Sequence, residues 1–390
     1  MGLADLATYG ITAERGFLCA FVAPSIALPE AFATARAAAM RLPEILPAGA
    51  VRAALEALPP IAPEAVAALD DAQARMAMVH YSFLVQAYVW GAPAPPASLP
   101  ASLAAPIVAL ADRLGQQPLL QYSGYVLDNW GMLDPAKGVA LDNLYMLQKF
   151  AGGTDEAWFV LVHVAIEARA GAALALFGPL LDAVAGEEPE RVRALLERVV
   201  AIWIEIHAIF RRMPEQCDPY IYFRRVRPYI HGWKDNPALA GGVIYAGVER
   251  FEGKPQAFRG QTGSQSSIVP AMDALLGVGH AADPLRAYLD ELHVYRPPAH
   301  RRFIDDVRAT SALRAFVSRH GGKALVDAYN GTILAVADFR TLHLEYAASY
   351  IAQQDRRSPG NDTEVGTGGT PFMKYLKKHR DETAANLLAA

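Results

Sequence analysis

Cysteine is almost missing from this 390-residue chain, which has only Cys19 and Cys217. They form no CxxC pair and no zinc-type cluster, so a disulfide framework and a structural zinc knuckle are not expected. A reducing cytoplasm is the expected location. No charge sign dominates either: 36 Lys and Arg stand against 40 Asp and Glu, for a net charge of −4. The basic clusters at 224–227, 300–302 and 377–380 are too short to track a phosphate backbone, which argues against nucleic acid as a partner. The N-terminal MGLADLATYG has no basic segment leading into an apolar one, so no signal peptide is expected. The most apolar stretches are broken by Pro24, Pro29, His163 or Pro179 before reaching membrane-spanning length, so no membrane partner is expected. Two phosphate and hydrolase signatures are absent. Gly247–Lys254 (GVERFEGK) has the wrong spacing for a P-loop and is followed by Pro255, and no GxSxG elbow occurs. Acid pairs such as Asp305-Asp306 and Asp70-Asp71 read as solvated helix faces.

What is present is apolar and helical. Apolar residues make up 53% and charged residues 19%, enough for a sizeable core. Apolar residues recur at helical spacing over 28–41, 50–58, 63–87, 103–114, 141–150, 155–178, 189–212, 271–276, 284–295, 299–318, 322–351 and 371–387, with a small hairpin near 242–251. The expectation is an all-α fold. A composition shift near Phe150 divides it into a small N-terminal helical domain (1–149) and a larger helical domain (150–390). Thr154 or Asp155 is the expected cap of the helix after Gly152-Gly153. The polar, Gly-rich 353–370 segment reads either as a surface loop or as a lid whose glycines let backbone amides approach a ligand.

Three segments could carry chemistry. In DFRTLHLEYAASYI, His343 shares a helical face with Val336, Phe339, Ala347 and Tyr350, and Arg340 lies one turn earlier. An apolar wall, a neutral nitrogen and a cation suit a haem: a face for the macrocycle, a ligand for iron and a partner for a propionate. The competing reading is a hydrogen-bonded core histidine. His343 and Glu345 do not form a two-His, one-carboxylate iron site, because positions i and i+2 of a helix point about 200° apart. In DEAWFVLVHVAIEARAG, Phe159, His163 and Glu167 lie on one face of a second apolar helix. An imidazole there needs either a structural partner or a ligand. In DPYIYFRRVRPYIHGWKDNP, a helical turn would pair Phe223 with Arg227: a ring wall and a guanidinium fork suited to a planar aromatic acid. The other reading is a helix end with a solvated arginine.

These segments carry a resemblance. AYVWG (87–91), LLQYSGYVLDNW (119–130), RPYIHGWKDNP (227–237), GSQSSIVPAMDALLG (263–277), YRPPAHRRF (295–303), FRTLHLEY (339–346) and GTGGTPFMKYLK (366–377) together resemble the indoleamine 2,3-dioxygenase family, from about Tyr9 to Asn386. The resemblance implies a two-domain helical haem dioxygenase. It implies haem b, with Fe2+ in the active state, O2 as co-substrate and an unidentified reductant. The expected reaction opens the indole C2=C3 bond of L-tryptophan or a related indoleamine to N-formylkynurenine, in a monomer or weak homo-oligomer. His343 would ligate iron. Val160, Gly260, Thr262, Gly263, Asp273 and Arg340 would lie against the haem. Tyr122, Tyr125, Phe159, His163, Tyr222 and Phe223 would line the distal pocket. Arg227 would bind the substrate carboxylate and Thr367 would close over it. His163, Tyr125 and Tyr222 depart from the animal enzymes, which have serine, cysteine and phenylalanine there. The departures keep open another oxidative indole rearrangement on the same scaffold. A haem protein that only binds gas is a further alternative, and the Arg227 pair and the GTGGT loop speak against it.

Overall fold

The computed structural model describes residues 2–18, 26–354 and 361–389. Cys19 and the middle of the polar 353–370 segment lie outside these residues. The described chain is helical, with strands of two or three residues only. Seven helices position the site: α1 (Asp71–Trp90), α2 (Thr154–Leu174), α3 (Pro189–Phe210), α4 (Ile268–Leu276), α5 (Pro284–His293), α6 (Lys323–Ala347) and α7 (Phe372–Ala384). Helix α6 packs on α3 along one side and α7 along another, and α2 packs on α3. The buried core runs without a break from Tyr9 to Tyr350, so both sides of the expected boundary near residue 150 share it.

Local chemistry explains most helix ends. A capping box starts α1: Asp70 accepts from the Gln73 amide at 2.8 Å, and Gln73 accepts from the Asp70 amide at 3.0 Å. That cap splits the expected 63–87 helix into Pro63–Ala67 and α1. Helix α2 is capped by Gly153, at φ 98°, and not by Thr154 or Asp155. The carboxylate of Glu156 reaches back to the amides of Phe150 (2.6 Å) and Gly152 (2.8 Å) instead. The expected 299–318 helix breaks at Ser311, whose hydroxyl donates to the Leu275 carbonyl at 2.5 Å.

Tertiary partners override the pattern in two places. The expected helix at 141–150 is a single 3-10 turn followed by the strand Leu144–Met146, which pairs antiparallel with Trp130–Met132. Asn129 holds it there: its side chain accepts from the Gln148 amide at 2.7 Å and donates to the Gln148 carbonyl at 2.9 Å. The hairpin expected at 242–251 is wider. Val243–Tyr245 pairs antiparallel with Pro255–Gln256 and parallel with Ser98–Leu99. Contrary to the expectation from Pro179 and His163, one helical stretch, Thr154–Ala185, is long and apolar enough to cross a membrane. Its most apolar window is 72% buried inside the protein, as a core helix would be.

Among the described residues three π-helical turns occur, at Ser123–Leu127, Tyr222–Val226 and Ala348–Ala352. The last two fall within or at the end of segments singled out for chemistry, and the first lies between the expected pocket residue Tyr122 and Asp128 in the LLQYSGYVLDNW stretch. Wide turns of this kind are rare and often mark functional positions.

Candidate functional site

Helices α2 and α6 bring His163 and His343 to one cavity of about 620 Å³. The Phe210 ring at the end of α3 touches both imidazoles, with centroids 6.2 Å from His163 and 6.3 Å from His343. Helical periodicity accounts for the placement of His343: Val336, Ala347 and Tyr350 on its face are buried, so the imidazole is carried inward with them. Among the described residues neither ring nitrogen of His343 has a hydrogen-bond partner. Burial, with a contribution from His163, lowers its pKa to about 4, which leaves the ring neutral near pH 7. A neutral, unpartnered imidazole on a cavity wall is a donor available to a metal. Gly263 faces it: a Cβ there would sit 4.0 Å from His343 Nε2, in the space that an approaching ligand needs.

His163 is different. Its Nδ1 lies 2.7 Å from the Phe159 carbonyl, one turn back. A carbonyl only accepts, so Nδ1 carries the hydrogen and Nε2 keeps a lone pair with no protein partner among the described residues. Burial lowers the His163 pKa, so this neutral tautomer holds at pH 7. One turn further along α2, Glu167 accepts from Tyr122 Oη (2.9 Å) and Ser266 Oγ (2.8 Å) through the same oxygen. Burial raises the Glu167 pKa to about 7.

The polar end of the cavity is built by α4, α6 and α7. The Arg340 guanidinium binds Asp273 at 2.7 Å and also contacts Thr383 Oγ1. Burial would raise the Asp273 pKa, but Arg340 and His280 outweigh it and hold the carboxyl below its usual range. The cation expected to be open to a propionate is therefore already paired. Sequence reasoning passed over a second arginine. Arg296 is buried on the cavity wall, donates to the carbonyls of Ser264 (2.7 Å) and Ser266 (3.1 Å), and has no carboxylate partner among the described residues. Its signal lay in the YRPPAHRRF motif, but nothing local to that motif says that it turns inward.

A smaller cavity of about 130 Å³ continues past His163, Gly263 and His343, which line both. Phe159, Tyr222, Thr262 and Thr367 line it as expected. Tyr222 packs against Phe159 with centroids 4.7 Å apart and against Tyr350 at 5.7 Å. Five expected residues line neither cavity: Tyr125, Val160, Phe223, Arg227 and Gly260. Tyr125 is buried one layer behind, between the rings of Phe83 and Phe159. Val160 is wholly buried in the core. Gly260 packs its backbone on Gly232, where a Cβ would come to 2.2 Å of the Gly232 nitrogen.

Phe223 and Arg227 do meet, with the guanidinium carbon 5.5 Å from the ring centre. Arg227 is fully buried, and no carboxylate pairs with it among the described residues. Its fork is taken by the loop before α7: one nitrogen contacts Asn361 Oδ1, another donates to the Val365 carbonyl at 2.6 Å, and Nε has no partner among the described residues. Burial lowers its pKa to about 10, so it remains charged near neutral pH. The same loop is tied down further on. Thr367 Oγ1 donates to the Gln261 carbonyl at 2.6 Å, and Arg259 donates to the Gly368 carbonyl at 2.7 Å.

Comparison with known proteins agrees along nearly the whole chain. The family model described as indoleamine 2,3-dioxygenase matches residues 5–386. "Indoleamine 2,3-dioxygenase 1" of Rattus norvegicus is 31% identical, with 98% of this chain and 96% of the rat protein covered. "Indoleamine 2,3-dioxygenase nanC" of Aspergillus nanangensis is 31% identical over 79% of this chain and 80% of its own. "Indoleamine 2,3-dioxygenase" of Saccharomyces cerevisiae is 29% identical over 81% and 79%.

Proposed function

The chain belongs to the indoleamine 2,3-dioxygenase family of helical, haem-dependent oxidoreductases, and from that premise we propose that it opens the indole ring of L-tryptophan with O2 to give N-formylkynurenine. The observation that carries the reading is the unpartnered, neutral imidazole of His343, set on a cavity of about 620 Å³ with His163 on the same wall system.

The residues present fit a haem. His343 would hold the iron, Gly263 leaves the approach to its Nε2 clear, and Arg296 offers a buried cation with no carboxylate of its own. Bound there, haem b in its ferrous form would supply the dioxygen activation that no amino-acid side chain provides. The rest is orientation and exclusion of water. Phe159 and Tyr222 form an aromatic wall for a flat heterocycle. The Nε2 lone pair of His163 can accept the indole N–H, and that role needs no proton transfer to or from the enzyme. Arg227 is the proposed partner of the substrate carboxylate. A carboxylate oxygen would replace Asn361 or the Val365 carbonyl on the fork, exchanging a neutral acceptor for a charged one. Thr367 sits on the same loop, so the exchange and closure over the amino-acid end are coupled. A reducing cytoplasm is the proposed setting; the buried free thiol of Cys217 is in keeping with it.

The test is an absorption spectrum of the purified protein with iron quantified, then turnover of tryptophan under reducing conditions with mass analysis. A product heavier than tryptophan by two oxygen atoms supports the proposal. A product without that gain points to another indole oxidation on this scaffold. Spectral change with O2 and no turnover of tryptophan would overturn the proposed activity.

A further inference from the structure

Beside the proposed haem cavity, we infer that His280, His379 and Glu382 form a binding site for a divalent ion of the zinc class. His280 lies in the loop after α4. His379 and Glu382 are three residues apart on α7, which puts them on one helical face. One ligand atom from each falls within 4.8 Å of the other two. That spacing needs only small side-chain rotations to reach zinc bond lengths of about 2.0–2.2 Å.

Three further observations point to a ligand. His379 Nε2 is buried and has no hydrogen-bond partner among the described residues. The two imidazole rings approach with centroids 4.9 Å apart. His280 is already oriented as metal-bound imidazoles are: one nitrogen faces Glu382 at 2.8 Å, and the other is held by the Asp273 carboxylate at 3.2 Å. Charge favours a cation as well. The carboxylates of Asp273, Asp283 and Glu382 face the two cations Arg340 and Lys378 in this network. With His280 neutral, as a metal ligand must be, one negative charge is left over.

Two imidazoles and one carboxylate are donors of intermediate softness, suited to zinc and poorly suited to magnesium or calcium. His280 and His379 also line the large cavity, so an ion and a water in a fourth position have a route in. The simpler account of the cluster is a protonated His280 bridging two carboxylates. It explains the bonds of His280, but it leaves the bare nitrogen of His379 unexplained.

The experiment uses haem-loaded protein, so that His343 is already engaged, and strips loosely bound metal with a chelator before equilibrium dialysis against micromolar zinc. One equivalent of zinc should bind. His379→Ala and Glu382→Gln should each weaken binding by about 100-fold or more, beyond the ~10–100-fold typical of losing an outer-shell partner. Haem content and far-ultraviolet circular dichroism check that each variant folds. Zinc K-edge X-ray absorption on the unsubstituted protein provides a readout that does not depend on the variants, and it should show two imidazoles. Failure to bind zinc, binding that both folded variants retain, or a spectrum without imidazole scattering would each overturn the site. Zinc binding lost in both variants with the haem retained would establish it, whatever the outcome of the tryptophan assay.

Discussion

Tyr122 donates its hydroxyl to Glu167 across 2.9 Å at the inner wall of the cavity, and the second oxygen of that carboxyl is buried without a partner among the described residues. Burial raises the Glu167 pKa from 4.5 to about 7, and the hydrogen bonds from Ser266 and Tyr122 offset only part of it.

A raised carboxyl pKa makes stability depend on pH in a defined direction. Below about 4.5 both the folded and unfolded states hold the proton, and the group contributes nothing unfavourable. Above it the unfolded chain releases the proton first, so folding stability falls until pH passes the folded pKa near 7. Glu167→Gln removes the charge and keeps the shape. The variant should match the parent near pH 4 and exceed it above pH 7 by up to roughly 3 kcal/mol. Urea unfolding of both proteins across this range checks it. A difference that does not change with pH would rule out a raised Glu167 pKa.

Exchanging the two central histidines for alanine should separate their roles. His343→Ala should lose haem and activity together, because it removes the imidazole proposed to hold the iron. His163→Ala should retain haem, because the iron is assigned to His343, where Gly263 leaves the approach to Nε2 clear. Haem-to-protein ratios and turnover measure both. Haem lost from the His163 variant and kept by the His343 variant would mean that the two faces are interchanged.

Arg227→Ala should raise KM for tryptophan by the equivalent of about 1.5–3 kcal/mol, the range for a hydrogen bond to a charged group. The same substitution also frees Asn361 and Val365 from their contact with the guanidinium. A compound with the indole ring but no carboxylate controls for this: its binding should change far less. Unchanged tryptophan binding would remove Arg227 from the substrate clamp.

Gly260→Ala should act on the fold, not directly on the cofactor. An added Cβ would meet the Gly232 nitrogen at 2.2 Å and the Ile230 carbonyl at 2.5 Å, and backbone cannot rotate away as a side chain can. Overpacking of this kind costs about 1–3 kcal/mol. A lower urea midpoint, with the haem spectrum of the remaining folded protein unchanged, is the expected result. An altered spectrum with unchanged stability would return Gly260 to the cavity wall.

Much of this molecule could be read from short stretches of chain. The spacing of apolar residues around His343 and His163 gave two buried helices, and both imidazoles do reach one cavity. The Phe223–Arg227 pair is also local, four residues apart, and the two side chains meet. Residues 141–150 misled for the opposite reason. Their apolar spacing suits a helix, but Asn129 supplies backbone partners that a helix there could not use.

Helical character, the inward placement of His163 and His343, and the pairing of Phe223 with Arg227 followed from the order of residues, because each depends on neighbours within one or two turns. Which cation remains open at the cavity was a matter of tertiary structure. Arg340 is paired with Asp273, 67 residues away, while Arg296 turns inward onto the carbonyls of Ser264 and Ser266. The occupied fork of Arg227 and the close contact of Gly232 with Gly260 likewise needed distant segments to meet. A periodic pattern shows which side of a helix faces inward, but the groups it will find there are set by how the rest of the chain packs around it.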